Sequence, residues 1–341
     1  MNSRVIKFVA GGGKTTYAEQ YMKKNKNGLY IAFNNSVVEE LKDKGLLSKT
    51  IDSLFISFII PKFISVIPLI YSGAVIKYID NKQIRLDLKG VANIKIQVDG
   101  KIYNKGKYTG INLNITNKEL HAMPFFKNNK FIKFIFSKDT LNINDQQRSE
   151  LALYIIKKYP NEVIKILEKR FTYIIIDEAQ DLKGYREEFA KLIYNSNLQL
   201  ILLGDDNQNI NGGGKWFSNL IANDIKNKTF RCSETICKWI RENINIEIFG
   251  EVKDGKYEKI NHKNVLNYND GKRVLLYYSN IGKNREIIKE WKGKKSTIKK
   301  AKGSTIEEDI VIIGKSMDVK NLYTAITRTK KNVYSTIEKI N

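Results

Sequence analysis

Soft metal ligands are nearly missing from this chain. In 341 residues there are two cysteines, Cys232 and Cys237, and two histidines, His121 and His262. So few ligands exclude a structural zinc site, and two reduced thiols in an intracellular protein are expected. Proline is scarce as well, at four residues. Acidic residues number 36 against 59 basic ones, leaving a formal net charge of +23. A surplus of that size points to a polyanionic partner, either nucleic acid or an anionic membrane surface. The accompanying richness in Lys, Ile and Asn is also what AT-rich coding produces. Only one long apolar run occurs, Leu54 to Tyr71 (LFISFIIPKFISVIPLIY). Lys62, Pro61 and Pro68 interrupt it, and a buried core segment is expected there, without membrane association. The N-terminus runs directly into a strand-like segment with no signal-peptide pattern. A soluble, intracellular protein is therefore expected.

A hydrophobic fraction of 42% suits a globular chain with proper cores. Short apolar runs without alternation lie at Val5–Val9, Leu29–Phe33, Tyr173–Ile176, Leu200–Leu203, Val274–Tyr278 and Ile310–Ile313. Such runs are the mark of strands buried on both faces, as in a parallel sheet covered by helices. Helix-like segments alternate with them, among them Val37–Lys44, Glu187–Asn195 and Asn284–Trp291. The expected fold class is α/β. The stretch from about Phe55 to Arg148 differs, with Lys, Asn, Gly and alternating pieces such as Ile94–Val98 and Ile111–Ile115. It reads as an insertion of mixed strand and helix. A domain boundary is expected in the polar stretch Asn223–Lys228.

Three constellations carry chemistry. Ala10-Gly11-Gly12-Gly13-Lys14-Thr15-Thr16 follows a strand and precedes a helix-like segment. Glycines let backbone N–H groups turn inward around phosphate oxygens. Lys14 would then reach the β- and γ-phosphates, and the Thr15 hydroxyl would sit on Mg²⁺. The full phosphate-loop pattern has a further glycine at the position occupied here by Phe8. Next, Ile174-Ile175-Ile176 ends in Asp177-Glu178-Ala179-Gln180-Asp181. A carboxylate at the C-terminal end of such a strand lies beside a phosphate loop. Asp177 is placed to hold Mg²⁺ through water, and Glu178 to orient or deprotonate an attacking water. Finally, Leu203-Gly204-Asp205-Asp206-Asn207-Gln208 puts Gln208 where a γ-phosphate could be sensed.

DEAQD followed by GDDNQ resembles superfamily 1 helicases, in particular the UvrD/Rep-like branch. Further segments resemble that family's motifs in its own order. LYIAFNNS (Leu29–Ser36) and TIDSLF (Thr50–Phe55) are similar to its strand-contacting motifs. The resemblance makes Phe33, Asn34 and Thr50 candidate nucleic-acid contacts. TFRCSETI (Thr229–Ile236) and LYTAITRTK (Leu322–Lys330) resemble motifs IV and VI, which makes Arg231 and Arg328 arginine fingers. LLYYSN (Leu275–Asn280) and TIKKAKGSTIEEDIVII (Thr297–Ile313) resemble segments of a second domain, and the latter puts Gly303 at the nucleotide. The family carries a base-stacking aromatic where Asn211 stands here, and Trp216 or Phe217 could substitute. Only Met1–Arg4 precede the first strand, where the family usually has an adenine-reading glutamine motif, so adenine selectivity is left open. Asn280 and Thr297 lie too close in the chain to admit its large accessory domain.

The resemblance implies two RecA-like parallel-sheet domains. Residues 1–54 and 149–225 would form the first, 55–148 an inserted subdomain, and 226–341 the second. It also implies an ATP- and Mg²⁺-dependent helicase or translocase on single-stranded nucleic acid, with DNA favoured over RNA and replication proteins as possible partners. The compact layout suggests a viral, phage or plasmid origin. The alternatives are a viral RNA helicase, a non-catalytic nucleic-acid-binding protein on a helicase scaffold, or a membrane-associated replication or movement protein.

Overall fold

In the computed structural model, residues 3–63 and 145–341 are described, together with the backbone of strands lying between 74 and 142. The chain divides into two compact units. The first comprises 1–48, 171–183 and 197–341; the second comprises 49–170 and 184–196.

Two parallel sheets organise the first unit. One contains β1 (Arg4–Phe8), β2 (Gly28–Ala32), β3 (Ser48–Thr50), β4 (Tyr173–Ile176), β5 (Gln199–Gly204) and β6 (Asp224–Lys226) in the order β6-β1-β5-β4-β2-β3. The pairs β1/β5, β1/β6, β4/β5 and β2/β4 are all parallel. Every residue of β2 and β4 is buried, as the unbroken apolar runs require. Within the polar stretch Asn223–Lys228, Asp224–Lys226 pairs with β1 as the sheet's edge. An edge strand faces water along one side, which explains its composition.

Beyond that edge, β7 (Lys228–Ser233) pairs in parallel with β8 (Phe249–Val252). The second large sheet holds β9 (Tyr257–Lys259), β10 (Val274–Tyr277), β11 (Lys295–Thr297), β12 (Ile310–Ile313) and β13 (Val333–Ser335), ordered β9-β13-β12-β10-β11 and parallel throughout. The fold is α/β with two parallel sheets, the class expected. The helices of this unit are α1 (Lys14–Lys24), α2 (Asn35–Asp43), α3 (Trp216–Asn219), α4 (Glu234–Ile244), α5 (Lys283–Glu290), α6 (Ile298–Ala301) and α7 (Val319–Ile326). α4 and α7 begin at side-chain caps, Ser233 and Asp318, whose oxygens accept from the amides three residues on.

One apolar cluster joins Val9 and Ala10, at the end of β1, to Cys232, Ile236 and Ile240 and to Leu322, Tyr323 and Ala325 of α7. The root of the glycine loop is therefore built into the core of the C-terminal half. Burying such side chains contributes about 1.5–3 kcal/mol each.

The second unit takes in the insertion. Helices Asp145–Lys158, Pro160–Glu168 and Tyr185–Tyr194 belong to it. Three antiparallel strands, Ala74–Tyr78, Gln83–Leu88 and Gly110–Asn114, form its largest sheet. Mixed strand and helix were expected here. The apolar run opens as helix Ile51–Leu54, a π-helical turn at Phe55–Ile59 and helix Ile60–Phe63. Leu54, Phe55, Ile59, Ile60 and Phe63 are all buried. Phe55 packs edge-on against Tyr185 and Phe189 with centroids 5.3 and 5.0 Å away. The run is thus core as far as Phe63; its remainder, 64–71, lies outside the described residues. Among the described residues, no helix is long and apolar enough to cross a membrane.

Candidate nucleotide site

The glycine loop leaves β1 at Phe8 and enters α1 at Lys14. Gly11 and Gly13 adopt φ of +70° and +85°, a region that side chains other than glycine occupy at a cost. A Cβ on Gly11 would also come within 2.7 Å of Thr229 Oγ1 and Arg231 Cβ. α1 has no side-chain cap, so its first amides remain open to an anion. Three bonds strap the loop root to β7 and α7. Thr229 Oγ1 donates to the Ala10 carbonyl at 2.6 Å, and the Phe230 amide donates to the Gly11 carbonyl at 3.0 Å. The Ala10 amide donates to the Tyr323 hydroxyl at 2.9 Å.

Around this loop lies a cavity of about 760 Å³. Gly11, Gly12, Gly13, Lys14, Thr15, Thr16, Asp177, Glu178, Gln208, Arg231, Gly303 and Arg328 all line it, so every expected nucleotide-site residue meets there. Phe33 and Asn34, expected at nucleic acid, line the same cavity, and Asn34 also caps α2 by accepting from the Ser36 amide. Thr50 and Trp216 are not among the lining residues. Thr50 caps the helix Ile51–Leu54 in the second unit, and Trp216 opens α3.

Lys14 Nζ stands 3.5 Å from Glu178 Oε1. Burial disfavours the ammonium, but Glu178, Asp177 and Asp205 outweigh it and leave its pKa raised. For Asp177, burial and then the neighbouring Glu178 charge push the carboxyl upward. Glu178 is less buried than Asp177, and Lys14 and Lys302 hold it below the usual carboxylate range against the burial it has. The two acids thus respond in opposite directions, the pattern expected of a pair with separate tasks. Glu178 adopts φ +49°, a strained conformation outside glycine, and Gln180 Nε2 donates to its Oε2 at 2.5 Å.

Arg328 is 1% exposed. Its guanidinium donates to the carbonyls of Thr324 at 2.8 Å and Ser304 at 3.4 Å, and to Gln208 Oε1 at 3.1 Å. Burial, and then the nearby Arg231 charge, lower its pKa to about 10. Burial likewise lowers that of Arg231, whose Nη1 donates to the Thr327 carbonyl at 3.1 Å. Two crowded guanidiniums beside a lysine and a helix N-terminus suit a polyphosphate anion.

Tyr30 was not anticipated as a site residue. Its hydroxyl donates to Asp177 Oδ2 at 2.5 Å. One phenol therefore holds the carboxylate expected at Mg²⁺. Among the described residues, no group of three His, Cys, Asp or Glu could hold a metal unaided. One carboxylate and one hydroxyl beside a phosphate cradle fit Mg²⁺, which takes its remaining ligands from substrate oxygens and water. Phe230 was missed as well. It lines the cavity, is 56% exposed, and holds its ring edge 3.5 Å from where a Cβ on Gly13 would lie.

The glycine loop, the strand-end acid pair, the buried Arg328 and the half-buried Arg231 meet in one cavity of an α/β fold. Residues 74–212 match the family described as the UvrD/REP helicase N-terminal domain. That stretch contains Asp177–Asp181 and Gly204–Gln208, and the chain resembles superfamily 1 helicases of the UvrD/Rep-like kind. No curated protein matches the sequence. The chain is similar to a solved PRRSV helicase at 11% identity and TM-score 0.46, covering 98% of this chain and 52% of that one. It is similar to arterivirus nonstructural protein 10 (helicase) at 11% identity and TM-score 0.47, covering 98% and 59%. For the complex of that helicase with DNA the values are 11%, 0.47, 98% and 60%. The chain thus spans between half and two thirds of the length of these structures.

Proposed function

We propose that this chain is an ATP-driven motor of superfamily 1 that moves along single-stranded nucleic acid, DNA in preference to RNA. The observation that carries this reading is the single cavity lined by Lys14, Asp177, Glu178, Gln208, Arg231 and Arg328. Lys14 opens α1 after β1, Asp177 and Glu178 follow β4 of the first sheet, and Arg328 follows α7 in the half built on the second sheet. On this reading residues 1–54 and 149–225 form the first RecA-like domain, 55–148 the inserted subdomain and 226–341 the second RecA-like domain.

Phosphoryl transfer is catalysed mostly by positioning and charge neutralisation. Lys14 and the glycine-loop amides hold the β- and γ-phosphates. Thr15 and, through water, Asp177 would hold Mg²⁺, which would neutralise phosphate oxygens when bound. Glu178, kept ionised by Lys14 and Lys302, orients the attacking water and receives its proton. Gln208, Arg231 and Arg328 face the γ-phosphoryl group, where negative charge builds. Phe230 offers a ring face for the nucleobase, and Gly303 borders the nucleotide. Because the charge clamp draws on both halves, nucleotide turnover alters how the two sheets approach each other, and that change drives stepping. Phe33, Asn34, Thr50 and Trp216 are the proposed strand contacts, with Trp216 stacking on a base for about 1–3 kcal/mol.

The test is ATP hydrolysis by wild type and Lys14→Ala, with no nucleic acid, single-stranded DNA or single-stranded RNA. Stimulation by DNA, abolished in Lys14→Ala, is expected. Stimulation by RNA alone reassigns the track. No stimulation, with the variant equal to wild type, leaves a binding protein on a helicase scaffold.

A further inference from the structure

A chain of buried hydrogen bonds runs behind the cavity. The Ala10 amide donates to the Tyr323 hydroxyl at 2.9 Å, and that hydroxyl donates to Asp205 Oδ2 at 3.1 Å. The same carboxylate oxygen accepts from Gln208 Nε2 at 2.7 Å, and Gln208 Oε1 accepts from Arg328 Nη2 at 3.1 Å. Tyr323, Asp205, Gln208 and Arg328 are each at most 2% exposed, so water cannot replace a lost link. We infer that Tyr323 is a positioning residue for nucleotide hydrolysis, setting Gln208 and Arg328 from the root of the phosphate loop. The inference rests on the motor reading above.

The physical reason lies in the Gln208 amide, whose two ends are chemically opposite. With its NH₂ held by an ionised Asp205, its oxygen must face Arg328. Turned over, it would present NH₂ to a guanidinium and leave Asp205 facing an oxygen. Asp205 fixes the choice only while its carboxylate stays ionised and in place, and burial works against the charge. Its donors are the Asn207 amide at 3.0 Å, Gln208 and the Tyr323 hydroxyl. Tyr323 alone among these also grips the phosphate loop. Where the usual first loop glycine is replaced by Phe8, the Ala10 amide takes its anchor from this hydroxyl.

The test is steady-state hydrolysis by Tyr323→Phe, Gln208→Ala and the double variant, at saturating single-stranded nucleic acid. Phenylalanine keeps the buried ring and removes only the relay. The expected outcome is a kcat lowered about tenfold or more in Tyr323→Phe, with KM for ATP within about twofold of wild type. The double variant should be no slower than Gln208→Ala, since both changes cut one chain. Should Tyr323→Phe melt below the assay temperature, Asp205→Asn, which breaks the same link, must give the same split. A Tyr323→Phe kcat equal to wild type, or losses that multiply in the double variant, overturns the relay alone. An inactive wild type overturns the motor reading and the relay together.

Discussion

The Lys302 ammonium lies 2.7 Å from both carboxylate oxygens of Asp181, and the two side chains are only 5% and 8% exposed. Lys302 also donates to the Gln208 carbonyl at 2.6 Å, and Asn211 Nδ2 donates to Asp181 at 3.1 Å. This ion pair fastens the segment after β4 to the loop after α6. Removing one partner of a buried pair strands the other charge, so Lys302→Met should lower the unfolding free energy by about 3–5 kcal/mol. Replacing both, as Lys302→Met with Asp181→Leu, should recover most of that. Urea denaturation measures both values. A loss below about 1 kcal/mol in the single variant would mean that the pair behaves as a solvated surface contact.

Glu178→Gln should leave nucleotide affinity nearly intact while lowering kcat by about 10²–10³, because the amide keeps the shape but cannot take a proton. Single-turnover hydrolysis beside equilibrium nucleotide binding separates the two effects. Equal losses in binding and turnover would assign Glu178 to holding the nucleotide instead.

Phe230→Ala should weaken ATP binding about tenfold, consistent with the loss of one stacked base. GTP should weaken by a similar factor, since a ring face does not distinguish bases by their edges. Binding isotherms with both nucleotides decide this, and unchanged affinity would show that Phe230 is not a base platform.

Both thiols should resist alkylation at pH 8 in the folded protein. Burial pushes Cys232 up to about 11 and raises Cys237 further still, so each remains a neutral thiol there. Lower pH only protonates them further, and reactivity should grow only toward strongly alkaline pH or upon unfolding. Mass spectrometry after iodoacetamide, with and without urea, measures it. Rapid labelling of Cys232 in the native protein would contradict its burial within β7.

Both sheets were legible because their strands are buried on two faces, and such strands must be apolar without alternation: Tyr173–Ile176 and Ile310–Ile313 are entirely buried. The cavity's polar and charged residues were legible because Lys14, Asp177, Glu178 and Gln208 sit where apolar strands give way to polar turns. Tyr30, Tyr323 and Lys302 were not. Tyr30 lies inside a strand and Tyr323 inside a helix face, so each reads as core, and only the fold shows where its hydroxyl ends. Lys302 looks like one more lysine in a lysine-rich chain until Asp181, remote in sequence, is placed against it. Asp224–Lys226 escaped notice because an edge strand has the composition of a linker.

The strapping of Ala10 has a consequence for how the molecule is made. Its carbonyl is satisfied by a residue 219 positions away and its amide by one 313 positions away. Closures over such separations carry the largest loop entropy and come late in folding. The first sheet can form while the root of its glycine loop is still hydrated and unset. On the proposed reading, competence to bind a nucleotide is therefore among the last properties this chain acquires, since a nascent chain that has not yet reached Tyr323 has the root of its glycine loop unset.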